Sequence, residues 1–258
     1  MNTALAYANY LLRAKTRHGI HSPFVYNFLE QYLKPRPDCP ESPQIEALRK
    51  ALLQDSRTIE FEDFGAGSKK VKNTQPQVKE LAKNSLKTPK YARLICYLAQ
   101  YIQARNILEL GTSLGVSSLY LAKGNPDATV HTIEGSKGVA AIAREQFEKA
   151  NARNIQLHQG VFDAVLPKLL QEQNTFDFIF IDGNHTKEAT LRYFELLKYH
   201  LSPKGLLVFD DINWSEGMQE AWTEIKARPE VRLTMNFFFL GVVSLDSGFS
   251  KEDFSIRY

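Results

Sequence analysis

The chain has 258 residues, 43% of them apolar and 24% charged, with a formal net charge of +3. That length suits one large α/β domain with an appendage or two small domains, with material for a substantial core. The charge is too slight to argue for nucleic acid, Cys39 and Cys96 suggest neither a disulfide framework nor a zinc site, and no run of about 18 apolar residues could span a membrane.

The first residues, MNTALAYANYLLRAKTRHG, lack the uninterrupted apolar segment and cleavage site of a secretory signal, so a cytoplasmic protein is expected. Leu5, Tyr7, Ala8, Leu11 and Leu12 make a helical stripe that stops at Gly19. Ser22-Pro23 opens a second helix to about Leu33, and a proline-dense connector leads to Ser42-Pro43 and a third helix carrying Ile45, Leu48, Leu52 and Leu53. Residues 58–74 read as a strand and a glycine loop; FGAGS at 64–68 is followed by KKVKNTQPQ and not by an apolar helix, which favours a surface or substrate-side loop. Helices follow over about 77–86 and 89–103. Residues 1–88 are therefore expected to form an N-terminal helical extension or cap, and 89–258 a separate α/β domain.

From Arg105 onward the pattern alternates as a doubly wound sheet requires. Strands are expected at 106–110, 129–133, 155–159, 176–182 and 205–209, with helices at about 115–123, 137–150, 163–172, 186–200 and 215–227. The stretch VRLTMNFFFLGVVSLD then reads as two antiparallel strands. Five β/α units closed by such a hairpin predict a Rossmann-like, seven-stranded sheet.

The first of these units, RNILELGTSLGVSSLYLAKG, places a glycine turn between a strand and a helix start, where backbone N–H groups face a ligand. Its spacing is G-x-x-x-G (Gly111 and Gly115), not the G-x-G-x-x-G of dinucleotide enzymes, which disfavours a pyrophosphate cradle. Glu109, just before the turn, suits a cationic ligand. The unit resembles motif I of the class I S-adenosylmethionine-dependent methyltransferases.

Ligands of open α/β sheets sit beyond the carboxyl ends of the strands. Thr112, Ser113 and Ser117 add hydroxyls near the turn, and Glu134, 25 positions after Glu109, ends the second strand where a carboxylate can accept from both ribose hydroxyls. After the third strand, Gly160 and Asp163 form a GxxD segment whose acid can accept from an adenine amino group. Each acid has a bland reading as well, Glu134 as a solvated strand end and Asp163 as a helix cap. The resemblance implies the glycine turn under the cofactor, Glu134 on its ribose and the GxxD segment on its adenine, with Asp182 as a further cofactor contact.

The fourth strand ends in Asp182 and the fifth in Asp210-Asp211. With neighbouring strands about 5 Å apart these acids should converge, and an all-oxygen set favours Mg²⁺, Ca²⁺ or Mn²⁺ over zinc. The competing reading makes Asp211 and Asn213 caps of the next helix. The segment FIDGNHTKEATLRYFELLKYHLSPKGLLVFDDINW resembles the cation-dependent O-methyltransferases of the catechol and macrolide-sugar type. That resemblance covers about residues 90–245 and implies Asp182, Asp210 and Asp211 as ligands of a divalent cation, Mg²⁺ first.

Two departures bear on the general base. The catechol-type enzymes carry a lysine three positions after the first metal acid, where this chain has His185; the sugar type carries a carboxylate two positions after it, where this chain has Asn184. His185 is the expected proton acceptor beside Asp182, since an imidazole takes a proton near neutral pH; the alternative is a histidine that orients Asp182. His18 and His21 read as structural or as part of a lid and not as metal ligands, and Trp214 as either an acceptor wall or a buried helix-start residue.

The resemblance implies O-methylation of a small-molecule hydroxyl acceptor by S-adenosylmethionine, with nucleic acid and membrane not expected as partners. Alternatives are methylation of tRNA or protein, which a basic run at Lys69, Lys70, Lys72 and Lys79 would serve, and a non-catalytic cofactor-binding module. A nucleotide-dependent oxidoreductase lacks its G-x-G-x-x-G. A homo-oligomer stays open, FFFL at 237–240 being apolar enough for a pairing sheet edge or for a buried strand.

Overall fold

The computed structural model describes residues 3–35, 37, 42–62, 64 and 75–258. In chain order the helices before the first strand are α1 (Thr3–Arg13), α2 (Pro23–Phe28, continued by a π-helical turn Leu29–Leu33), α3 (Ser42–Leu52), α4 (Val78–Ser85) and α5 (Pro89–Tyr101). Strands and helices then alternate: β1 (Asn106–Leu110), α6 (Val116–Gly124), β2 (Thr129–Glu134), α7 (Lys137–Lys149), β3 (Ile155–Gln159), α8 (Phe162–Glu172), β4 (Phe176–Ile181) and α9 (Lys187–Leu197). The last elements are β5 (Leu201–Phe209), α10 (Glu216–Ala227), β6 (Leu233–Asn236), β7 (Gly241–Ser244) and β8 (Glu252–Ser255). No helix among the described residues is long and apolar enough to cross a membrane.

The chain divides into two compact units, one made of Met1–Pro37 with Asp177–Tyr258 and the other of Asp38–Phe176. In the second unit the strands lie in the order β3-β2-β1, all parallel, with Glu109 opposite Thr132 and Glu134 opposite Gln159. Ile107, Leu108 and Leu110 are fully buried, as parallel strands covered on both faces require. Helix α6 is buried on every side from Val116 to Ala122, so its sequence carries no amphipathic stripe. Ile45 and Leu52 of α3, Val78 and Leu81 of α4, and Ala92 and Cys96 of α5 join Leu119, Tyr120, Ile142 and Phe147 in one apolar core.

In the first unit the order is β4-β5-β7-β6-β8. β5 pairs antiparallel with β7, and β7 with β6, which is the expected closing hairpin. FFFL is the loop of that hairpin, not a strand: Phe237, Phe238 and Leu240 are buried, and Phe239 is partly exposed. β8 pairs parallel with β6 and is an addition to the expected seven strands. Its sequence, EDFS, buries only Phe254 and offers no alternating apolar pattern to read.

The first 88 residues are divided between the units. Tyr7 and Tyr10 of α1 set their rings 4.8 and 5.4 Å from Phe238, Tyr10 Oη donates to Ile256 O, and Lys15 N donates to Ser255 O at 2.8 Å. α3 and α4 belong instead to the core around α6. Of the expected FGAGS loop at 64–68 only Phe64 is described; Gly65–Ser68 lie outside the described residues, as do Lys69, Lys70 and Lys72 of the basic run.

Candidate active site

The turn after β1 is built as its glycines suggest. Gly111 has φ +102° and Gly115 φ +84°, the latter serving as the left-handed N-cap of α6. A Cβ at Gly115 would lie 2.6 Å from the Phe147 ring, so the position is closed to other residues by packing as well as by backbone conformation. Gly111 N and Thr112 N both donate to Ile133 O at 3.1 Å, which ties the turn to β2. Ser113, itself at φ +49°, shares a 2.9 Å hydroxyl–hydroxyl bond with Ser85 of α4.

Glu134 connects the turn to the next loop. One carboxylate oxygen accepts from Ser113 N at 2.9 Å and the other from Ser136 N at 2.9 Å. Burial pushes its carboxyl above the usual carboxylate range, and the Ser136, Ser113 and Gly135 N–H groups draw it back. Each oxygen keeps a further acceptor direction, enough for two vicinal hydroxyls. Gly160 N donates to Glu134 O at 2.8 Å, so the loop after β3 lies beside it, and Asp163 stands exposed in the first turn of α8. Val161, not Asp163, is the N-cap of that helix.

Glu109 is not on the surface of the turn but fully buried beneath it. Its Oε2 accepts from Thr132 Oγ1 at 2.7 Å and from Ser118 Oγ, while Oε1 has no hydrogen-bond partner. Thr132 in turn shares a 2.6 Å bond with Thr112. Burial raises the Glu109 carboxyl above its ordinary range against the pull of the Ser117, Ser118 and Thr132 hydroxyls. Ser118 and Thr132 were not legible as site residues by type alone. The parallel register that sets Thr132 opposite Glu109, and the lone acid inside the apolar NILEL, were the available signals.

A buried acid with one unfilled oxygen under a glycine turn, beside a second acid held by backbone N–H groups, fits a ligand with a cationic group and a ribose. The residues present therefore suit S-adenosylmethionine. Glu109, Gly111, Thr112, Ser113, Gly115, Ser117, Glu134, Gly160 and Asp163 all lie in one unit, at or next to the carboxyl ends of β1, β2 and β3.

The other unit holds the acid cluster. Asp182 follows β4, Asp210 follows β5, and Asp210 N donates to Ile181 O at 3.0 Å. Asp182, His185 and Asp210 bring one ligand atom each to within 4.8 Å of one another, and His185 Nε2 is 3.6 Å from Asp182 Oδ1. Asp210 is buried; Asp182 and His185 are partly exposed. The histidine thus takes a place in the group that the sequence assigned to Asp211, which sits at φ +53° outside it. Neither Asp211 nor Asn213 caps the next helix: Ser215 Oγ accepts from Met218 N at 3.2 Å, and Asn213 donates to Phe238 O at 2.6 Å. Thr186 caps α9 by accepting from Ala189 N at 3.3 Å, which fixes the loop that carries His185. Trp214 is 58% exposed, and His18 and His21 are exposed.

Residues 108–212 match the family model described as a methyltransferase domain. A catechol O-methyltransferase of Niastella koreensis is 33% identical over 128 residues, covering 48% of this chain and 57% of that protein. One of Mycobacterium tuberculosis is 35% identical over 121 residues, covering 46% and 53%. The chain thus spans little more than half the length of these curated relatives. The solved O-methyltransferase of Bacillus cereus, in complex with SAH, superposes with a TM-score of 0.54 at 24% identity, covering 85% of this chain and 96% of that one, a likeness of fold. By the matched domain, these relatives and the doubly wound fold, the chain is similar to the class I S-adenosylmethionine-dependent O-methyltransferases.

Proposed function

We propose that this protein methylates a small-molecule hydroxyl with S-adenosylmethionine as donor and a divalent cation, Mg²⁺ first, as helper. The observation that carries the cofactor half is Glu134, whose carboxylate spans from the glycine turn to the start of α7 at the end of β2. When bound, S-adenosylmethionine supplies an electrophilic methyl group, and the cation a positive charge that lowers the pKa of a hydroxyl. Glu134 would hold the ribose, Gly111 and Gly115 admit the ligand close to the backbone, and Glu109 lies beneath with one oxygen unfilled. Asp182 and Asp210 would hold the cation, a hard-ligand pair with one imidazole beside it.

His185 supplies either the third ligand or the proton acceptor for the hydroxyl. The two roles separate in experiment, because replacing a ligand lowers cation affinity while replacing an acceptor lowers the rate with cation affinity intact. The relatives named catechol O-methyltransferase support a hydroxyl on a small molecule as acceptor. A chain with two cysteines suits a reducing compartment such as the cytoplasm.

Calorimetric titration of S-adenosylhomocysteine, with NAD as control, tests the cofactor; methyl transfer to a panel of small-molecule alcohols and phenols, with Mg²⁺ or chelator, tests the reaction. Asp182→Asn and Asp210→Asn are expected to lower Mg²⁺-dependent transfer by about two orders of magnitude. Transfer that is indifferent to both substitutions and to chelator would remove the cation from the scheme. Binding of NAD in place of the thioether would remove the cofactor.

A further inference from the structure

Phe64, described together with residues 57–62 ahead of α4, brings an aromatic ring to the end of β2. Residues 57–62 are fixed at their start by Arg57, which forks onto Glu145 of α7 at 2.9 and 3.1 Å and onto Asp55 at 2.8 Å. Thr58 bridges Gln77, and Ile59 N donates to Pro76 O at 3.2 Å. Beyond that point three alternate residues meet α7 and the turn before it in order. A Cβ at Gly138 would lie 2.1 Å from Glu60 O, Glu62 N donates to Ser136 Oγ at 3.4 Å, and a Cβ at Gly135 would lie 2.6 Å from Phe64 Cδ2.

Two glycines make this path possible. At Gly138 the Glu60 backbone occupies the space of a side chain, and at Gly135 the Phe64 ring does. Gly135 directly follows Glu134, and Gly160 of the next loop donates to Glu134 O. Phe64 is 50% exposed, so a large apolar ring rests on a glycine beside the acid and still shows half its surface to water. The ring's place on the residue after Glu134, and not its exposure alone, points to a partner: a planar heterocycle joined to the ribose that the neighbouring carboxylate would hold.

We infer that Phe64 is the aromatic wall of the nucleoside end of the cofactor site, stacking on the adenine of a ligand whose ribose Glu134 holds. The inference rests on the cofactor reading above. It assigns Phe64 to nucleoside recognition, with Gly135 and Gly138 as the positions that admit it.

The test is titration of S-adenosylhomocysteine into the full chain and into Phe64→Ala, Phe64→Tyr, Phe64→Trp and Gly138→Ala variants, each checked for an unchanged circular-dichroism spectrum. Phe64→Ala is expected to weaken binding about tenfold, as loss of one base–aromatic stack does, and Phe64→Tyr to restore it to within about twofold. In Phe64→Trp the ligand should quench the added indole fluorescence beyond any change in the parent. Gly138→Ala should weaken binding too, and add little on top of Phe64→Ala, because both act through one ring. Equal affinity of Phe64→Ala and the parent overturns the inference while the cofactor reading stands, as does an unquenched tryptophan. A parent chain that binds no thioether overturns both.

Discussion

Glu109 shows how much the role of one acid depends on what surrounds it. In sequence it precedes a glycine turn and looks available to a ligand; in the fold it lies at zero exposure, with Ser118 and Thr132 donating to one oxygen and nothing to the other. Its folded carboxyl titrates above the ordinary value because burial penalises the charge. The native state therefore holds the proton more tightly than the unfolded chain. Glu109's stabilising contribution is present below the ordinary carboxylate pKa and is lost as pH rises through the raised one. Glu109→Gln is expected to flatten this loss, so that the cofactor-free variant is more resistant to urea than the parent at pH 8 and equal to it at pH 4.5. The same change should weaken S-adenosylhomocysteine binding by roughly ten- to a hundredfold, the scale of a hydrogen bond to a charged group. A variant less stable than the parent at pH 8 would contradict this account of the unfilled oxygen.

Among the elements, β2 and β3 carry a titratable pair, His131 buried and His158 partly buried. His131 Nδ1 lies 3.2 Å from His158 Nε2, the rings stack at 5.5 Å, and the edge of Phe176 closes against His131. Burial and the neighbouring imidazole push His131 down to about 4, and burial lowers His158 as well. Here the sign is the reverse of Glu109: the unfolded chain binds the protons more readily, so stability falls as pH drops from about 6.5 toward 4. Urea midpoints measured across that window should decline in the parent and decline less in His131→Gln. Equal slopes would show that the pair does not titrate on unfolding. The strands that bear these histidines were legible to within a residue, because period and apolar content suffice for a strand. The stacking was not, since it depends on which residues the parallel register sets on one face.

For the whole molecule, the N-terminal residues are the informative case. Helices α1 and α2 are integral to the unit that holds β4–β8: Tyr10, Val25, Phe28 and Leu29 are buried, Phe28 faces Phe237 and Phe24 faces Phe249. Each buried side chain of this size contributes about 1.5–3 kcal/mol, so the set rivals the roughly 5–15 kcal/mol that holds a domain folded. Deleting residues 1–35 is expected to abolish the cooperative thermal transition or lower its midpoint by about 15 °C or more. A detachable cap would leave the midpoint almost unchanged.

The alternation of strands and helices from Arg105, the glycine turn, the acids at the strand ends and the closing hairpin are all legible along the chain. These are local: period, turn chemistry and spacing along the chain decide them. The burial of Glu109, the grouping of His185 with Asp182 and Asp210, strand β8 and the place of Phe64 on Gly135 emerge only in the folded chain. Each of these joins residues from separate parts of the chain. Which side chain fills the space of a glycine, or meets a carboxylate across a strand, is set by register and packing density, and neither is written in any one segment.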